Sequence, residues 1–332
     1  MYGFLVAANL GAWVWAILVF REKPILLGTA FLAYTFGLRH AVDADHIAAI
    51  DNVTRKLMQD GRRPVSVGFY FAFGHSLTVL IAACVAYWTA STAEKHFAFL
   101  KDVGTIVGTC VSIFFLFVIA LMNLLILRGV YRAFQQATKG IADPQPNADM
   151  FKGGGFLARL LGPLFGLLSQ PWQMLPIGLL FGLGFETATE VALLGTSASA
   201  AAKGVSLQEV MVFPALFTAG MTLLDTTDGI LMLGAYGWAF LKPIRKLYYN
   251  LTITSVSVLV ALIVGGVEAV GLLKDQLNLS GGVWDFFGML NDNFGTLGFF
   301  IIGVFILSWI GSIIFYKAKG YDRLAPNRVA AN

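Results

Sequence analysis

Apolar residues run along this chain in long stretches, interrupted by short clusters of charge, proline or glycine. Bounded that way, the stretches fall near 3–20, 25–50, 65–90, 104–128, 173–200, 208–240, 248–273 and 295–317. Most come close to or exceed the about 20 residues that the hydrocarbon core of a bilayer asks of one helix. The pattern predicts an all-α polytopic membrane protein of about eight transmembrane helices. An even count puts both termini on one side. The first stretch lacks a basic leader and a small-residue cleavage exit, so it reads as a retained helix.

Composition sharpens this picture. Of 332 residues, 57% are hydrophobic and 13% charged, and the mean hydropathy is +0.74. A soluble enzyme, a disulfide scaffold and a disordered chain are excluded, because no water-soluble core could hide so much apolar area. The formal charge of +4 matters less than where the cations fall. Sixteen Lys and Arg lie on the side of the termini and six on the other, which places both termini in the cytoplasm and the chain in the cytoplasmic membrane. Nucleic acid is not an expected partner; the bilayer is. Cys84 and Cys110 read as buried thiols without a disulfide or redox role.

The one long connection, 129–172, holds Asp143-Pro144-Gln145-Pro146-Asn147 and Gly153-Gly154-Gly155 and reads as a cytoplasmic linker between residues 1–128, helices 1–4, and 173–332, helices 5–8. Gly74-His75-Ser76-Leu77 matches Gly220-Met221-Thr222-Leu223, and Gly37-Leu38 matches Gly182-Leu183. These offsets pair helix 2 with 5 and helix 3 with 6, an inverted 3+3 repeat of helices 1–3 and 4–6 with two further helices.

Ionisable groups inside spans carry a burial penalty and point to function, and here they cluster. Helix 2 carries Arg39, His40, Asp43, Asp45 and His46; helix 3, His75; helix 5, Glu186 and Glu190; helix 6, Asp225 and Asp228. On a continuous helix at about 100° per residue, His40, Asp43 and His46 cover an arc of roughly 120° and can face one region. Asp45 points elsewhere and is a partner for a histidine, a mate for Arg39, or a ligand if the helix unwinds locally. Imidazole and carboxylate without thiolate suit divalent ions such as nickel, cobalt, zinc and manganese. The structural alternative is a set of intramembrane ion pairs, with Arg39 neutralising an aspartate. Glu186 with Glu190 and Asp225 with Asp228 each share a face. Asp51 reads as a solvated or Arg55-paired surface acid, and Glu268 stands alone in helix 7.

No G-x-x-x-x-G-K-[ST] run and no H-E-x-x-H occurs, so the sequence shows neither an ATP-hydrolysing P-loop of its own nor the commonest zinc-peptidase arrangement, and no ATPase subunit is evident. His40 and Asp45 also spell the H-x4-D pattern of membrane acyltransferases, in which the histidine is a general base.

The segment Arg39-His40-Ala41-Val42-Asp43-Ala44-Asp45-His46-Ile47 resembles the helix 2 signature of the nickel/cobalt transporter (NiCoT) family. Phe73-Gly74-His75-Ser76, Leu183-Gly184-Phe185-Glu186-Thr187-Ala188-Thr189-Glu190 and Gly220-Met221-Thr222-Leu223-Leu224-Asp225-Thr226-Thr227-Asp228 are similar to three further family motifs, in order. Glu186 stands where the family usually has Asp, and Leu77 where a small or hydroxylated residue is usual. The resemblance implies a secondary permease, not an enzyme, that imports Ni2+ or Co2+ as substrate and needs no cofactor; the ion is expected between helices 1, 2 and 3, at Asn9, His40, Asp43, Asp45, His46 and His75, with Glu186, Glu190, Asp225 and Asp228 of helices 5 and 6 as the metal-site residues that close it. A divalent-metal exporter would carry the same ligands. The resemblance also implies that Asn9 and Val42 tune selectivity, in the combination of nickel-preferring members.

Overall fold

The computed structural model describes residues 1–89, 94–138, 168–184, 188–239 and 243–320. In chain order its helices are α1 (Tyr2–Phe20), α2 (Pro24–His40), α3 (Ala44–Gln59), α4 (Val67–Thr89) and α5 (Glu94–Thr138), then α6 (Met174–Phe181), α7 (Ala188–Ala202), α8 (Leu207–Val210), α9 (Val212–Ala239), α10 (Pro243–Leu277), α11 (Gly282–Asp292) and α12 (Phe294–Ala318). The chain is a polytopic all-α membrane protein. Among the described residues, six helices are long and apolar enough to cross a bilayer, and α2 with α3, bent by 52° at their break, make a seventh as one span. The helix expected at 173–200 is represented by α6 and α7, with 185–187 between them outside the described residues. Residues 129–138 of the expected linker are helical, because α5 continues to Thr138; positions 139–167 lie outside the described residues.

Helix 2 is not the continuous helix its apolar run suggests. One helical segment ends at His40, and Asp43, an extended residue with φ −65° and ψ 146°, opens the next. Aspartate favours such a cap position, but here its carboxylate makes no cap bond. The break sends His40 to the end of α2 and His46 into the first turn of α3.

Small residues let the central helices touch backbone to backbone. A Cβ at Gly37 of α2 would run into the Phe217 carbonyl of α9, and a Cβ at Gly178 of α6 into the Phe71 carbonyl of α4. Gly220 meets Tyr34 and Leu38, and Gly74 meets Leu175 and Leu179. Phe71 and Phe217 stand 146 positions apart, as do Gly74 and Gly220. This reciprocity supports matching helix 3 with helix 6. It moves the counterpart of Gly37 from Gly182 to Gly178, one turn earlier, a shift that side-chain identity alone hides.

Both cysteines are free, and neither is fully buried: Cys84 is half-buried with its thiol 3.5 Å from Met211 Sδ, and Cys110 is exposed on α5. Glu268 of α10, isolated in sequence, accepts from Ser112 Oγ of α5 at 2.8 and 2.9 Å. Asp51 is a correction. It is Arg55-paired as expected, but fully buried and not at the surface.

Candidate metal centre

The helix break makes the site. His40 and His46 lie with His75 of α4 in a triangle, ring centroids 4.7, 4.8 and 4.9 Å apart. One ring nitrogen from each falls within 4.8 Å of the others, and all three residues are at most 2% exposed. The continuous-helix face drawn for His40, Asp43 and His46 is therefore replaced by two helix ends and a turn, joined by a third helix.

Carboxylates hold the rings from behind. Asp43 Oδ2 lies 3.0 Å from His40 Nδ1. Asp225 of α9 holds His46 Nδ1 at 3.1 and 3.4 Å. In each case the ring N–H donates to the carboxylate, which fixes the tautomer and turns Nε2 inward. Glu190 of α7 approaches from the front, its Oε1 2.8 Å from His75 Nε2 and 3.7 Å from His40 Nε2. His40 Nε2 and His75 Nε2 are 3.0 Å apart. His46 Nε2 is buried with no hydrogen-bond partner, as is His75 Nδ1. A lone pair buried without a donor is expensive, unless something else occupies it.

The remaining expected residues divide. Asp45 is half-buried in the first turn of α3, and its Oδ1 has no partner. It is Asp43, not Asp45, that bonds His40, and the pair is buried, so the geometry offers nothing to the acyltransferase pattern. Asp228 Oδ2 is buried without a partner, and the residue feels the charges of Asp51 and Asp225. Glu186 lies outside the described residues. Asn9 is engaged away from the histidines: its amide donates to the Leu5 and Ala219 carbonyls, and its oxygen accepts from Tyr34 Oη at 3.0 Å. Val42, expected to tune selectivity together with Asn9, packs against α12, where its carbonyl fills the space beside Gly298. Arg39 is exposed and, among the described residues, has no carboxylate oxygen within 4.0 Å. Its guanidinium shares the space beside Gly295 with Asp43 Oδ1.

Sequence reasoning missed a second buried network on α3. Arg55 Nη2 donates to Asp51 at 2.9 and 3.1 Å and to Ser257 of α10, whose hydroxyl donates to Asp51. Asn123 of α5 donates to Asn52 at 2.8 Å. The i, i+4 spacing of Asp51 and Arg55 was the available signal; the partners on α5 and α10 left none.

The family model described as NicO, "High-affinity nickel-transport protein", matches residues 26–315. The chain is 54% identical to the "High-affinity nickel transport protein" of Cupriavidus necator over 97% of its own length and 92% of that protein. It is 51% identical to the "Hydrogenase nickel incorporation protein HupN" of Bradyrhizobium diazoefficiens, over 99% and 87%. With the "Cobalt transport protein NhlF" of Rhodococcus rhodochrous it shares 39% identity over 89% and 84%. No solved structure matches the chain.

Proposed function

Because the chain belongs to the high-affinity nickel-transport protein family, we propose that it imports Ni2+, and less readily Co2+, across the cytoplasmic membrane with both termini inside. The observation that carries the reading is the triangle of buried imidazoles whose nitrogens converge within 4.8 Å. His40, His46 and His75 are the nitrogen ligands and Glu190 the carboxylate ligand, while Asp43 and Asp225 orient the rings. Imidazole with carboxylate suits a borderline divalent ion. With metal–nitrogen bonds of about 2.1 Å, two ligands at a right angle stand roughly 3.0 Å apart, as His40 Nε2 and His75 Nε2 do.

Loading follows from the hydrogen bonds. With the proton of His40 on Nδ1, its Nε2 can only accept, so in the empty site His75 Nε2 carries the proton toward His40 and Glu190. The ion takes that proton's place, and the proton moves to His75 Nδ1 or leaves. A divalent ion moving inward gains about 4.6 kcal/mol per 100 mV of membrane potential, which drives uptake without ATP. The test is accumulation of radioactive nickel in cells expressing the protein, with cobalt and zinc as competitors. Accumulation no higher than in cells lacking the protein would sink the reading.

A further inference from the structure

The histidine cluster is sealed. His40, Asp43, His46, His75, Glu190 and Asp225 are each at most 4% exposed. Arg39, one residue before His40, is exposed. Its Nη2 and the Oδ1 of Asp43 stand 2.9 and 3.0 Å from the point that a Cβ on Gly295 would occupy, so both project into the space of the missing side chain. The other oxygen of Asp43 holds His40. A line of groups therefore runs inward from the surface: the guanidinium, the two oxygens of Asp43, then the His40 ring.

Gly295 belongs to the first turn of α12, and the chain breaks just before it. Asn293 separates α11 from α12 with φ −116° and ψ 36°, and both Asn293 and Asp292 are exposed. Exposed charge and amide at a break between membrane helices are costly against lipid and stable against water. A groove of about 330 Å³ between α1, α4 and α9 is walled largely by apolar side chains such as Phe4, Leu5, Phe69 and Phe73 and offers an ion little.

We propose that the metal ion reaches the histidines through the notch between the end of α2 and the first turn of α12, and that Gly295 is the positioning residue that keeps this passage open. The proposal rests on the transport reading above. A fixed guanidinium at the threshold repels a dication, so Arg39 swings aside as the ion arrives, and the ion takes its place beside Asp43 Oδ1. No ion pair between Arg39 and Asp43 has to break for this exchange of places, since the two groups share only the space beside Gly295. A side chain at 295 would fill the room for that exchange without removing a ligand.

The experiment compares Gly295→Ala and Gly295→Leu with Gly303→Leu, a control on the same helix whose Cβ meets nothing within 4 Å. Nickel uptake into vesicles carrying the reconstituted protein gives the rate, and nickel bound to the detergent-solubilised protein gives the equilibrium. The initial rate should fall with side-chain size, by about tenfold at leucine, a barrier rise of roughly 1.4 kcal/mol. Equilibrium binding should hold, and the control should change neither. Parent-like rates in both Gly295 variants would overturn the passage. So would binding lost in step with the rate, since Gly295 would then only support Asp43. A parent protein that binds nickel without carrying it would instead count against transport. For a readout that needs no transport, Gly295→Cys with Cys84 and Cys110 replaced by alanine should react with a membrane-impermeant cationic thiol reagent applied opposite the termini. Labelling from the side of the termini alone would overturn the proposal.

Discussion

Two buried polar networks lie on α3, and they are built to opposite ends. Around Asp51, the protein supplies its own cation: Arg55 and Ser257 satisfy the carboxylate from within the same layer of helices. Around His46, one to two turns earlier, the described residues supply acids and imidazoles, His46 itself is held by Asp225, and His46 Nε2 is left without a partner. Both groups are completely buried. The contrast shows how burial separates structure from transport: a charge cluster closed by a tethered cation braces helices, whereas one left open to a cation that comes and goes can carry it. Low dielectric makes an unmatched charge costly in either case, so the open cluster holds its affinity in reserve for the ion.

This difference can be broken at either end. Replacing His46 with alanine removes a ligand that nothing nearby can replace, so nickel accumulation should be abolished while the protein remains in the membrane; uptake near the parent level would remove His46 from the site. Arg55→Leu attacks the other network. It leaves Asp51 buried without its cation and should destabilise the fold by about 3–5 kcal/mol, read as a lowered unfolding midpoint, while the surviving folded protein binds nickel with parent affinity. Weakened binding without loss of stability would mean that the two networks are one.

Asp225→Asn tests the orienting acid. An amide can present either its oxygen or its NH2 to His46 Nδ1, so the ring loses its fixed tautomer. Nickel affinity should drop roughly 10–100-fold, the usual effect of losing such an outer partner, measured by titration of purified protein. An unchanged affinity would assign Asp225 to helix packing. The smallest effect concerns selectivity. Asn9→His combined with Val42→Phe should relax discrimination against cobalt by about tenfold, roughly 1.4 kcal/mol. Since Asn9 ties α1 to α2 and α9 while Val42 packs on α12, the two substitutions touch separate partners and their effects on the nickel-to-cobalt uptake ratio should add. Strong non-additivity would show that both act through the α2–α3 break.

The sequence by itself determined the class of protein and the ingredients of the site. Apolar run length specifies membrane helices because a bilayer leaves the backbone no other partner. Charged and imidazole residues stand out against that background because nothing but function or pairing offsets their burial. His40, His46, His75, Glu190 and Asp225 were all visible this way, and they converge.

Only the tertiary structure decided how they converge. No proline or glycine marks the break at 41–43, so periodicity treats the segment as one helix; the turn is held by Asp43 bonding backward to His40 and by α12 pressing on Val42. The choice of Asp43 over Asp45 as the partner of His40, the inward turn of Glu190, and the roles of Gly295 and Gly298 depend on which helices lie beside one another. That neighbourhood is set by backbone contacts at glycines, whose missing side chains leave no trace in a hydrophobic pattern. Spacing along a helix says which residues share a face. Which face meets another is settled where two helices can approach most closely, and that lies outside any single segment.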